Sequence, residues 1–65
     1  MKKIRKIIVQ NKSEEDWRSF AIVEDSEGDM WELRGYGGSV DQARESVVKV
    51  YEDKEEYWDI SGYKI

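Results

Sequence analysis

The chain has 65 residues with no cysteine, histidine or proline, and 15 acidic against 11 basic side chains give it a formal charge of −4. That length allows a single domain, residues 1–65, which buries only about 60% of the surface its unfolded chain exposes. The composition excludes a disulfide staple, a thiolate or imidazole metal site and an imidazole general base, and no apolar run approaches the ~20 residues of a membrane span, so a cytoplasmic protein is expected.

Charge is unevenly spread. Four of the eleven basic residues (Lys2, Lys3, Arg5 and Lys6) lie in the first six positions. The remainder holds seven basic against fifteen acidic residues, a balance of −8. Such a surface repels a nucleic-acid backbone, so no direct nucleic-acid contact is expected. The N-terminal cations read as guards of an edge strand. Eight aromatics, Trp17, Phe20, Trp31, Tyr36, Tyr51, Tyr57, Trp58 and Tyr63, supply the large buried areas that so short a chain needs.

Residues 3–10 (KIRKIIVQ) are rich in β-branched side chains and predict a first strand. Plain alternation puts Ile4, Lys6 and Ile8 on one face and Arg5, Ile7 and Val9 on the other, which leaves the buried face open. Residues 11–16 (NKSEED) are polar and predict a loop. Residues 17–24 (WRSFAIVE) predict strand two, with Phe20 and Ile22 on one face and Trp17, Ala21 and Val23 on the other. Residues 25–29 (DSEGD) predict a turn with Gly28 at its positive-φ position. Residues 30–36 (MWELRGY) predict strand three, Trp31 and Leu33 on one side, Met30, Glu32, Arg34 and Tyr36 on the other.

Gly35, Gly37 and Gly38 loosen the passage into a helix whose start is the clearest local signal in the chain. Ser39 followed by Gln42 forms a capping box, the serine oxygen accepting from the Gln42 N–H and the Gln42 side chain reaching back to the serine N–H. Asp41 places negative charge in the first turn. Val40, Ala43, Val47, Val50 and Tyr51 make one apolar stripe, and Glu45 with Lys49 adds an i,i+4 pair worth ~0.3 kcal/mol. The stripe predicts Val47 and Tyr51 lying over Trp31 and Leu33. The glycines lack the lysine and spacing of a phosphate-binding loop. Residues 52–56 (EDKEE) read as a charged exit, and residues 57–65 (YWDISGYKI) as a fourth strand bulged at Gly62. The order βββαβ implies an α+β fold, an antiparallel sheet of three to four strands with one helix packed on one face.

The stretch 37–43, GGSVDQA, resembles the strand-to-helix junction of HicB-type antitoxins, where a Gly-Asp-Thr-Leu-Glu-Glu-Ala-like run is typical. Gly37 stands at the glycine, Ser39 at the cap, Val40 at the first apolar helix position, Asp41 at an acidic position and Ala43 at the alanine. Gly38 replaces an acid of the family, and no Pro-Gly-Cys-like turn precedes it. The similarity covers roughly residues 17–60. It implies a partial double-stranded-RNA-binding fold and a protein partner.

No serine has a histidine to activate it. Glu24, Asp25, Glu27 and Asp29 do not follow the DxDxDG pattern of a calcium loop. The expectation is a small acidic, non-catalytic, protein-binding domain without cofactor or metal. Trp17, Trp58 and Tyr63 are its candidate contacts, with Ser39 and Gln42 as structural caps. Because one helix covers only one face of a sheet, a homodimer burying Trp17 or Trp58, with Lys2, Lys3 and Lys6 solvated, is expected. A monomer with its C-terminal segment folded across the open face is the alternative. An alternative function is an acidic decoy, of phage or mobile-element origin, occupying a nucleic-acid-binding site on another protein.

Overall fold

A computed structural model describes residues 2–65. Three antiparallel strands, β1 (Lys3–Ser13), β2 (Asp16–Glu24) and β3 (Met30–Gly37), lead into helix α1 (Val40–Glu52). A 3₁₀ turn (Glu55–Tyr57), a single turn of helix α2 (Trp58–Ser61) and a short strand β4 (Gly62–Lys64) complete the chain. The sheet order is β1-β2-β3-β4, antiparallel throughout, and α1 packs on β3 and β2 from one side.

The core lies between helix and sheet. Ala21 and Val23 of β2, Leu33 of β3, Ala43 and Val47 of α1, and Trp58 are fully buried, with Ile4, Ile7, Trp31, Val48, Val50 and Tyr51 packed around them. Val47 points into the sheet as the apolar stripe requires, and Leu33 lies in the same core. Trp31 meets Trp58 edge-to-face, ring centroids 5.9 Å apart, and Tyr51 stacks on the other side of Trp58 at the same separation. Thus Tyr51 reaches Trp31 through an intervening ring.

The ambiguity of strand one is resolved by a β-bulge. Ile4 pairs with Val23 and Lys6 with Ile22, leaving Arg5 as the extra residue. The insertion shifts the alternation by one, so Ile4, Ile7 and Val9 all line up with core-facing residues of β2. The expected loop at 11–16 is also shorter: β1 continues to Ser13, and the chain reverses at Glu14 and Glu15, the latter at φ 61°. The second hairpin turns as expected, with Gly28 at φ 87°.

Two glycines are required by close approach. A methyl group on Gly35 would collide with the Val47 backbone nitrogen and crowd the Ala43 carbonyl, so only glycine lets α1 lie this near β3. A methyl on Gly62 would collide with the Glu32 carbonyl oxygen. Gly62 is therefore no bulge: it pairs with Leu33 and opens β4.

The expected nine-residue fourth strand is corrected to a helical turn and three strand residues. Local aromatic and β-branched character favours a strand, but the tertiary demand is different. The chain must step from the end of α1 to the far edge of β3 and drop Trp58 between α1 and the sheet. A helical turn does this within a few residues. The tail therefore extends the sheet by one strand and does not fold across its open face.

A candidate interaction surface on the uncovered sheet face

The face of the sheet opposite α1 is set by register. Reading across the strands, its four rows are Lys3, Glu24 and Met30; then Lys6, Ile22, Glu32 and Tyr63; then Ile8, Phe20 and Arg34; then Gln10, Arg18 and Tyr36. The intervening rows carry Val23, Ala21 and Ser19 to the helix side, where all three are buried. Alternation alone thus sends Phe20, Ile22, Arg34 and Tyr36 outward.

Two arginines on this face are held by aromatic rings. The Arg34 guanidinium lies 5.5 Å from the Tyr63 ring centre and 6.0 Å from that of Phe20, and Arg18 lies 5.4 Å from Tyr36. Arg18 donates to both oxygens of Asp16, through Nε and Nη2, at 3.5 Å, whereas Arg34 only approaches Glu32, at 3.7 Å. The Arg34 fork, positioned by rings, retains donors for a second carboxylate. Tyr36 is 55% exposed and Tyr63 47%. A cavity of about 260 Å³ opens at this edge, where β4 stops short of covering β3, between Arg34, Tyr36 and Tyr63 on one side and Ile60 and Ser61 on the other.

The rim is organised differently. Arg5 donates to Glu24 at 2.6 Å, and that hydrogen bond, with the positive charges of Arg5 and Lys3, holds the Glu24 carboxyl below its ordinary pKa against the opposing effect of desolvation. Lys3, Arg5 and Lys6 are exposed along β1, which is an edge strand as expected. Lys2 departs from the expectation that it is solvated. Its Nζ donates to the Tyr51 carbonyl at 3.3 Å and sits 5.0 Å from the Tyr51 ring centre, a cation at the C-terminal end of α1.

The expected contact residues are divided by the structure. Tyr63 is on the uncovered face. Trp58 is fully buried in the core, so its expected place at a partner or dimer contact is corrected: the ring is needed to fill the gap between α1, β3 and the tail. Trp17 is half-buried on the helix side, beside Gly37. Ser39 caps α1 by accepting from the Gln42 N–H, whereas the Gln42 side chain accepts from the N–H of Gly38, one residue before the expected one. Phe20, Arg18, Arg34 and Tyr36 were not among the expected contacts, although the alternation of strand three already placed Arg34 and Tyr36 opposite Trp31 and Leu33.

The acidic turn is internally satisfied. Asp25 accepts from the N–H groups of Glu27 and Asp29 through one oxygen and from Trp31 Nε1 through the other, at 2.8–2.9 Å. Among the described residues no three acidic side chains converge as a metal-binding group, and no helix is long and apolar enough to cross a membrane. Compared with known proteins, the chain matches no family model, no curated protein and no solved structure.

Proposed function

We propose that this chain is a small non-catalytic protein-interaction module whose working surface is the uncovered face of the sheet. One observation carries the reading: Phe20, Ile22, Tyr36 and Tyr63 share that face with two arginines that lie over the Phe20, Tyr36 and Tyr63 rings. Aromatic and arginine side chains are the residues enriched in the energetic centres of protein interfaces. Charge is segregated between the two sides of the molecule. The segment 40–61 contains seven acidic and three basic residues, which accounts for the whole −4, and the sheet-forming remainder is neutral. On the face itself Lys3, Lys6, Arg18 and Arg34 are interleaved with Glu24 and Glu32, a mixed pattern suited to a partner carrying both signs of charge. The strand order and the glycine–cap junction also support a HicB-type likeness, under which the partner is a toxin-like protein.

The acidic decoy is the second reading, favoured by that concentration of charge on the helical segment. It uses the opposite side of the molecule. A photo-crosslinking residue placed at Tyr36, and in a separate variant at Glu45 on the exposed side of α1, separates the two in the source cell. Protein adducts at position 36 with none at 45 support the sheet-face module. Adducts only at 45 favour the decoy, and none at either position overturns the module.

A further inference from the structure

Resting on the reading of the uncovered face as the working surface, we propose that its occupant is a second copy of the same chain, packed sheet to sheet about a two-fold axis that crosses the strands at the level of Ala21 and Leu33. The inference comes from the order of residues on the face. Rotation about such an axis reverses the four outward rows and returns each strand onto its own counterpart. The row of Lys3, Glu24 and Met30 then lies over that of Gln10, Arg18 and Tyr36, and the row of Lys6, Ile22 and Glu32 over that of Ile8, Phe20 and Arg34.

Every facing pair on the two central strands is then complementary. Glu32 meets Arg34 of the second copy, Glu24 meets Arg18, Ile22 meets Phe20 and Met30 meets Tyr36, and the symmetry forms each pair twice. On β1, Lys6 lays its stem over Ile8, and Lys3 faces neutral Gln10. Tyr63 lies above the position where the second copy has no β4, which is where the cavity beside Ile60 and Ser61 opens. The loose Arg34–Glu32 contact within the chain, 3.7 Å, becomes one side of a closed square of two arginines and two glutamates. Ile60, at 77% exposure, borders the same contact.

With the axis along the strands and over β2, Arg18 stacks on Arg18 and Glu24 on Glu24, and like charges brought face to face oppose it. With that axis between β2 and β3, Ile22 lies over Glu32 and Phe20 over Arg34, so no pair of opposite charges forms on the central strands. The first arrangement alone pairs Glu32 with Arg34 and Glu24 with Arg18. Its footprint, with strands spaced ~4.8 Å and rising ~3.4 Å per residue, is roughly 17 by 24 Å in projection. That is about 400 Å², roughly half of the ~800 Å² a partner contributes to a standard interface, so association is expected to be weak, at high micromolar concentration.

Charge exchange tests the arrangement. Sedimentation equilibrium of the intact chain should give twice the single-chain mass of 7.7 kDa at high micromolar concentration. Arg34→Glu alone, and Glu32→Arg alone, should each weaken the dimer at least tenfold, because each sets like charges against one another across the axis. The double exchange should restore the dimer, since the new pair is again opposite in sign. Mixing the two single variants should restore it as well, as a heterodimer, and circular-dichroism melts should show each variant folded. Arg44→Glu on the exposed side of α1 should leave the mass unchanged. A single-chain mass at every concentration would overturn the second copy as occupant; should crosslinks from position 36 then carry a different protein, the surface reading itself stands. A dimer indifferent to both single exchanges, or single variants whose mixture stays monomeric while the wild type dimerises, would overturn the two-fold arrangement.

Discussion

The hydroxyl of Ser19, fully buried in the middle of β2, donates to the carbonyl of Ala43 in α1 at 2.6 Å. It is a polar bond between helix and sheet, made where Gly35 brings the two backbones closest. A buried hydroxyl without such an acceptor would be costly. Here it fixes the height of the helix over the sheet.

Ser19→Ala should therefore cost about 1 kcal/mol, the net value of one hydrogen bond, while Ser19→Val should cost more by crowding the helix. Gly35→Ala should be the severest of the three. Its methyl meets backbone atoms that cannot rotate away, and overpacking of this kind costs about 1–3 kcal/mol or more. Urea melts of the three variants give the ranking.

Trp58 should prove to be the central aromatic of the core. It lies between Tyr51 and Trp31, and its indole N–H is buried without an acceptor among the described residues. Trp58→Ala should cost about 3–5 kcal/mol, as large-to-small aromatic truncations do. Trp58→Phe keeps a ring and removes the unpaired donor, so its cost should be less than half of that. Equal losses in urea melts would mean that the ring contacts contribute little.

The helix face can be checked in the same way. Val47 is fully buried and Val48 half-buried, so Val47→Ala should cost about 1–2 kcal/mol and Val48→Ala clearly less. Ser39→Ala, which removes the acceptor for the Gln42 N–H, should cost about 1 kcal/mol.

Acid should act through Asp25. Burial works to raise the pKa of its carboxyl, but the bonds from Trp31 and from the Asp29 and Glu27 N–H groups outweigh it, so the group titrates below its ordinary value. A carboxyl whose folded pKa is depressed contributes stability that is present above its unfolded pKa, about 3.9, and is lost as the pH falls through the folded value. Glu24, lowered chiefly by its bond to Arg5, acts in the same direction. Melting temperature should thus be nearly flat from pH 6 to 8, where a chain without histidine has no side chain of ordinary pKa to titrate, and should fall below about pH 4. Asp25→Asn should flatten the acid limb and lower the plateau. At the other extreme the Asp29 carboxylate, by hydrogen bond and charge, raises the Lys64 pKa, a contribution complete below the ordinary lysine value and lost as the pH rises through the folded one.

Much of this architecture is legible in the chain itself. The cap at Ser39, the stripe ending in Val47, Val50 and Tyr51, the turn at Gly28 and the faces of β2 and β3 follow from local rules of period and capping, and the structure keeps them. What stayed hidden depends on contacts distant in sequence. The helical turn at Trp58 answers to the space left between α1 and β3, and the stretch YWDIS contains no local sign of that space. The bulge at Arg5 is visible only against Val23 and Ile22, its partners some seventeen residues on. The candidate surface was half-legible: alternation placed Arg34 and Tyr36 together, but the match between Glu32 and Arg34, or Glu24 and Arg18, has meaning only once the register of three strands is known.

The extra residue at Arg5 also sets a rule for length. Its N-terminal side and its C-terminal side obey opposite parities because one residue stands between them without a partner on β2. Removing Arg5 itself would leave Ile4, Lys6, Ile7, Ile8 and Val9 in unbroken alternation opposite Val23 to Ser19, at the loss of its bond to Glu24. Removing a residue from the regular part of the strand, such as Ile8, would instead make Val9 and Gln10 slip by one and turn Val9 to water. The strand is lax in length at one position and strict on either side of it.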